Sequence, residues 1–234
     1  MQLFYNSDIK KGDATFFFDK EESKHIVKVL RKKEGDKIFI TNGLGYLFES
    51  EIILASEKKC EIKITKESYQ QPDSFYTHIA VAPTKMNDRL EWFLEKATEI
   101  GIHEITPIIC DHSERKVYKI DRAEKIIQAA MKQSLHLYLP KINEPVLFSQ
   151  FVKSNSEGQR FIAHCEETDK KSFQKAIAKN EKVVLLIGPE GDFSTKEINL
   201  AIANHYIPVT LGNTRLRTET AALVACHTLA LLNE

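Results

Sequence analysis

From residue 78 onward the chain alternates short apolar runs with amphipathic stretches, and this alternation restricts it to a narrow set of architectures. HIAVAP (78–83), ITPIIC (105–110), RFIAHC (160–165), KVVLLI (182–187) and IPVTL (207–211) read as buried strands. Between and after them come MNDRLEWFLEKATEIG (86–101), DRAEKIIQAAMKQSL (121–135), KSFQKAIAK (171–179), TKEINLAIA (195–203) and TAALVACHTLALL (220–232), all read as helices. In the first of these, Leu90, Phe93, Leu94, Ala97 and Ile100 share one face, and Gly101 is the expected C-cap. Strands that alternate with helices predict an α/β domain: a parallel sheet with helices on both faces. Such sheets bind ligands at the carboxyl ends of their strands.

The pattern before QQPD (70–73) is different. IFITNGLGYLFESEIIL (38–54) reads as a hairpin turned at Asn42-Gly43, and EIKIT (61–65) reads as a further strand. Asp19 and Glu22 form a near capping box ahead of the helix KHIVKVL. The expected division is a small β-barrel over 1–71 and a larger α/β domain over 72–234. No internal repeat or low-complexity tract interrupts this plan.

Composition excludes several classes. No apolar run approaches a membrane span, and the N-terminus lacks the layout of a signal peptide, so a cytoplasmic protein is expected. Cys60, Cys110, Cys165 and Cys226 are scattered without a C-x-x-C pair, which predicts buried thiols and no metal site. The 33 basic and 33 acidic residues balance, which excludes a generic polyanion binder but leaves room for a local basic patch.

Two loops carry chemical interest. IGPEGDFS (187–194) leaves a strand end, and Ser194 with Glu197 forms a capping box that starts the next helix near Thr195. A phosphate loop is disfavoured, because Pro189 removes an amide donor, Glu190 and Asp192 add negative charge and no lysine follows Gly191. Gly188 and Gly191 would let the backbone approach a ligand closely. The plain alternative is a tight connection with no ligand. The second loop, LGNTRLRTET (211–220), places Arg215, Arg217 and Glu219 directly before an apolar helix. Either Arg217 and Glu219 form a structural pair with Thr218 as N-cap, or they are fixed polar groups beside a pocket.

Together, GPEGDFS and, about twenty residues later, LGNTRLRTETA resemble the SPOUT superfamily of knotted methyltransferases. Within it the chain resembles the uridine-N3 methyltransferases of bacterial small-subunit (16S) ribosomal RNA. HIVKVLRKKEGDKIFITNG (25–43) is similar to that family's PUA-like barrel, and KMNDRLEWFLEKATEIGIHEITPI (85–108) to the opening of its catalytic domain. The resemblance implies a trefoil knot in the parallel-sheet domain, a homodimer and S-adenosylmethionine as cofactor. It implies a cofactor site built from Ala163 and His164; from Leu186, Ile187, Gly188, Pro189, Glu190 and Gly191; and from Leu211, Gly212, Leu216, Arg217 and Thr220. Asp192 stands where the family usually has a glycine, and aspartate tolerates the left-handed region better than most residues. The segment 132–140 lacks the arginine that the family often carries after Q-S.

Uridine N3 must lose its proton before it can accept a methyl group. Arg217 is the first candidate to stabilise the anionic base, with Glu219, Glu190 and, more weakly, His164 as candidate bases. For ribosomal RNA, free or in the assembled small subunit, KHIVKVLRKK (24–33) holds five lysines and arginines and no acid. Lys24, Lys28 and Arg31 would share a helical face, with Lys32 beside them; Arg89 and Arg115 are further candidates. A solvated surface is the plain alternative, and Trp92 is expected in the core. Rival readings are ribose 2′-O methylation and a non-catalytic dimeric RNA-binding module.

Overall fold

A computed structural model describes residues 2–154 and 157–234. The chain divides into two compact units, Met1–Pro72 with Met131–Leu139, and Asp73–Ala130 with Pro140–Glu234.

The first unit contains β1 (Leu3–Tyr5), β2 (Thr15–Phe17), α1 (Lys20–Lys24), β3 (Lys37–Thr41), β4 (Tyr46–Leu54) and β5 (Glu61–Tyr69). Its sheet runs in the order β1-β3-β4-β5-β2, and register shifts between β4 and β5 curl it. Phe4, Ile26, Ile40, Phe48 and Ile62 fill its core. The expected hairpin joins β3 to β4, with Thr41 opposite Leu47. Its loop has four residues, and Gly43 and Gly45 both adopt positive φ (74° and 89°). The segment that lacks the family's arginine pairs with this loop. The amide of Gly45 donates to the Leu137 carbonyl at 2.9 Å and that of Leu139 to Gly43 at 3.0 Å.

The basic run departs from expectation. Asp19 caps α1 through the Glu22 amide, but the helix continues as a single π turn over His25–Val29. Arg31 lies beyond that turn with φ 56°. The wider turn and the left-handed residue break the spacing on which a shared face of Lys24, Lys28 and Arg31 depends. The three side chains are exposed, but not as one helical stripe.

The second unit is a parallel α/β layer structure. Its strands are β6 (Tyr76–Val81), β7 (Glu104–Ile109), β8 (Lys141–Ile142), β9 (Val146–Leu147), β10 (Gln159–Ala163), β11 (Lys171–Ser172), β12 (Lys182–Ile187) and β13 (Ile207–Thr210). The order is β11-β13-β10-β12-β6-β7-β8, with β9 also on β7. Its helices are α2 (Asn87–Ile100), α3 (Asp121–Ser134), α4 (Phe148–Lys153), α5 (Phe173–Ala176), α6 (Thr195–Ala203) and α7 (Thr218–Asn233). The central strands are buried on both faces, as Val183, Val184, Leu185 and Leu186 show. Gly101 ends α2 at φ 100°, and the Ser194–Glu197 capping box starts α6 as predicted. The helix expected over 171–179 shrinks to the single turn of α5, because residues 171–172 join the sheet beside β13. Among the described residues, no helix is long and apolar enough to cross a membrane.

One polar network is buried between β6 and β7. His78 Nε2 lies 2.8 Å from Thr106 Oγ1, and Glu104 accepts from Tyr76, Asn143 and Lys141. Burial pulls His78 down from the usual 6.5 to about 4, outweighing the nearby Glu104 carboxylate. The unfolded chain therefore binds a proton here that the folded chain refuses. Stability from the neutral imidazole is full above pH 6.5 and is lost as pH falls from there toward 4. The expected loss is about 3 kcal/mol. His78→Gln should remove most of it, as measured by urea unfolding across that pH range; an unchanged slope would refute the assignment.

Candidate active site

β10, β12 and β13 lie side by side and parallel, so the loops that leave their carboxyl ends converge. They enclose a cavity of about 360 Å³. Ala163, Ile187, Gly188, Pro189, Glu190, Leu216 and Arg217 line it, joined by Cys165, Asp192, Arg215, Thr218 and Ala221. His164, Leu211 and Gly212 line an adjoining recess of about 100 Å³. Leu186 and Gly191 do not line these spaces. Leu186 is buried within β12, and a side chain at Gly191 would press on His112.

The loops are tied to one another by hydrogen bonds. Asp192 sits at φ 63°, in the left-handed region expected of the glycine it replaces. Its Oδ2 accepts from the Cys165 amide at 2.7 Å, and its Oδ1 accepts from the Phe193 amide at 2.9 Å. Thr218 Oγ1 donates to the Gly188 carbonyl at 3.0 Å, which fixes the start of α7 against the loop after β12. Glu190 accepts from the Lys85 amide at 3.0 Å, the plain backbone-capping role. Arg115 donates to the carbonyls of Thr84 and Lys85, so its guanidinium is engaged in holding that same loop. His164 is buried, and burial lowers its pKa, with Lys170 adding to the effect; neither of its ring nitrogens has a hydrogen-bond partner.

A second cavity of about 620 Å³ adjoins the first through Arg215, Leu216 and Arg217. Asp88, Arg89, Trp92, Glu219 and Thr220 complete its lining. Of the two alternatives for this loop, the structural pair fails. Arg217, not Thr218, is the N-cap of α7, and the ion-pair partner of Glu219 is Arg89, at 3.9 Å, not Arg217. Two residues apart across a helix start, the Arg217 and Glu219 side chains do not face each other. Trp92 is 44% exposed rather than in the core. The signal was present in the sequence: Trp92 falls off the Leu90, Phe93, Leu94, Ala97 stripe of α2. Lys24, Lys28, Arg31 and Lys32 belong to the first unit and are not among the residues that line these cavities.

The RNA methyltransferase domain matches residues 71–230, and the RNA methyltransferase PUA domain matches 18–65. Ribosomal RNA small subunit methyltransferase E of Buchnera aphidicola is 32% identical over 90% of this chain and 85% of its own length. Its counterpart in Bacillus subtilis is 28% identical over 94% and 91%. A probable rRNA-methyltransferase of Porphyromonas gingivalis superposes with a TM-score of 0.90 at 38% identity, covering 99% of each chain. A protein of Legionella pneumophila solved with bound SAM superposes at 0.88 with 27% identity, covering 99% of this chain and 97% of its own. With its curled PUA sheet and SPOUT-type parallel domain, the chain belongs to the RNA methyltransferases, in the family of ribosomal RNA small subunit methyltransferase E.

Proposed function

We propose that the protein transfers a methyl group from S-adenosylmethionine to N3 of a uridine in small-subunit ribosomal RNA. The observation that carries this reading is the pair of adjoining cavities that share Arg215, Leu216 and Arg217. One is walled by the strand-end loops and has room for a cofactor; the other is open and has room for a nucleotide.

The first cavity fits the cofactor chemically. Gly188 brings backbone close to the space, and the loop carbonyls and amides can read an adenine edge. Glu190 and Asp192 supply negative charge, which suits a sulfonium and repels a triphosphate. The unpartnered His164 nitrogens offer polar atoms in the adjoining recess. When bound, the cofactor supplies an electrophilic methyl group. The chain's residues do the rest. The loops around Ala163, Gly188 and Leu216 orient the donor, and Arg217, between the two cavities, offsets the charge that develops on the deprotonated base.

The exposed Lys24, Lys28 and Arg31 and the half-buried Lys32 would add phosphate contacts from the first unit. The exposed Leu231 on α7 and Met86 ahead of α2 suit a homodimer contact, and a ribosomal RNA substrate suits a cytoplasmic protein. The test is calorimetric titration with S-adenosylmethionine, with ATP in parallel, followed by mapping of methylated uridines in small subunits. Saturable cofactor binding near one per chain without ATP binding, together with an N3-methyl mark, is expected. A mark on ribose instead would replace the N3 assignment.

A further inference from the structure

Glu219 is an anomaly of burial. It is only 7% exposed, and its Oε2 has no hydrogen-bond partner. Its ion-pair partner among the described residues, Arg89, approaches Oε1 at 3.9 Å, too long for a hydrogen bond. A buried carboxyl oxygen without a donor is costly, and such groups persist where function needs them. Glu219 lies in the first turn of α7, where the helix dipole favours a carboxylate. It lines the larger cavity together with Arg89, Trp92, Arg215 and Arg217.

These groups complement one nucleobase edge. Uracil presents acceptor, donor, acceptor: O4, N3–H and O2. A carboxyl flanked by guanidinium groups presents donor, acceptor, donor. Cytosine, which has a lone pair at N3, would meet the carboxylate with another acceptor. Trp92 and Arg89 stand one turn apart on α2, and the exposed indole offers a stacking face beside that edge.

We propose that Glu219, Arg89 and Trp92 form the pocket that captures the target uracil, with the Glu219 carboxyl taking the N3 proton. The inference rests on the methyltransferase reading above. Rotation about the terminal torsion of Glu219 presents either oxygen to the cavity. The N3–H bond breaks, its electron pair stays on N3, and the proton passes to the carboxylate. N3 then bonds to the donor's methyl carbon as the carbon–sulfur bond breaks, with that pair leaving on sulfur. The proton later escapes from Glu219 to solvent. Arg89, 3.9 Å from Oε1 and lining the same cavity, keeps a positive charge beside the carboxyl.

The test uses the full chain and small subunits that lack the methyl mark. Wild-type methylation of a uridine N3 is measured first; its absence would sink the proposed function itself. With that activity in hand, Glu219→Gln should bind S-adenosylmethionine as wild type does in calorimetry. It should methylate about 10²–10³-fold more slowly near pH 7. The deficit should shrink about tenfold per pH unit upward, because N3 then ionises without help. A wild-type rate, or a deficit equal at every pH, overturns the base assignment. Trp92→Ala should lower kcat/KM about 10–100-fold, mainly through KM, with Trp92→Phe restoring most of it. An unchanged kcat/KM in Trp92→Ala, or no rescue by phenylalanine, removes Trp92 from the pocket.

Discussion

Arg217→Ala is expected to lower kcat for methylation by about 10³-fold and to leave the protein folded. The side chain is exposed, and no ion pair of the described residues involves it. Its backbone begins α7 with φ −70° and ψ 157°, a geometry that alanine adopts readily. Truncation of an exposed side chain usually changes stability by about 0.5 kcal/mol or less. The functional loss is large because the guanidinium stands where the two cavities meet. A base that gave up its N3 proton would carry new charge beside this guanidinium, and a cation held next to it offsets that charge. Arg217→Lys should recover part of the rate, since the charge returns without the planar fork. Single-turnover kinetics with saturating cofactor give the comparison. A rate in Arg217→Ala within fivefold of wild type would remove this residue from the mechanism.

Much of this arrangement was legible in the residues, because parallel strands buried on both faces announce themselves as apolar runs. KVVLLI gave β12 with its bounds, and Ser194 with Glu197 marked the start of α6. The glycine loops were legible because close backbone approach needs residues without side chains. What stayed hidden was set by tertiary geometry. Sequence proximity suggested Arg217 as the partner of Glu219, but α2 packs on α7 and brings Arg89 there instead. The π turn at His25–Val29 replaced an ordinary helix in a run whose residue types do not distinguish the two. Residues 171–179 have helical spacing, yet their first two residues are drawn onto the sheet edge beside β13. Local propensity lost to a sheet edge that local sequence cannot see.

Asp192 stands where the resemblance implies a glycine, and it makes the second large effect. Glycine at that position supplies only a left-handed backbone. Aspartate supplies the same backbone, at φ 63°, and two further hydrogen bonds. One of them, to the Cys165 amide, joins the loop after β12 to the loop after β10. His112 Nδ1, 3.1 Å from the carbonyls of Gly191 and Asp192, secures the same corner from the other side. Asp192→Ala loses both carboxylate bonds and leaves a residue with a Cβ in the left-handed region, which costs about 1–2 kcal/mol. The cavity wall then has to be ordered when the cofactor binds, so S-adenosylmethionine should bind about 30–100-fold more weakly in calorimetry. Asp192→Gly removes the bonds but also the backbone strain, so it should fall between wild type and alanine. Asp192→Asn keeps the backbone tolerance and one acceptor oxygen, and should lose less than either. If Asp192→Ala binds the cofactor within twofold of wild type, the loops hold their shape without this carboxylate, and the chain's departure from glycine is neutral for the site.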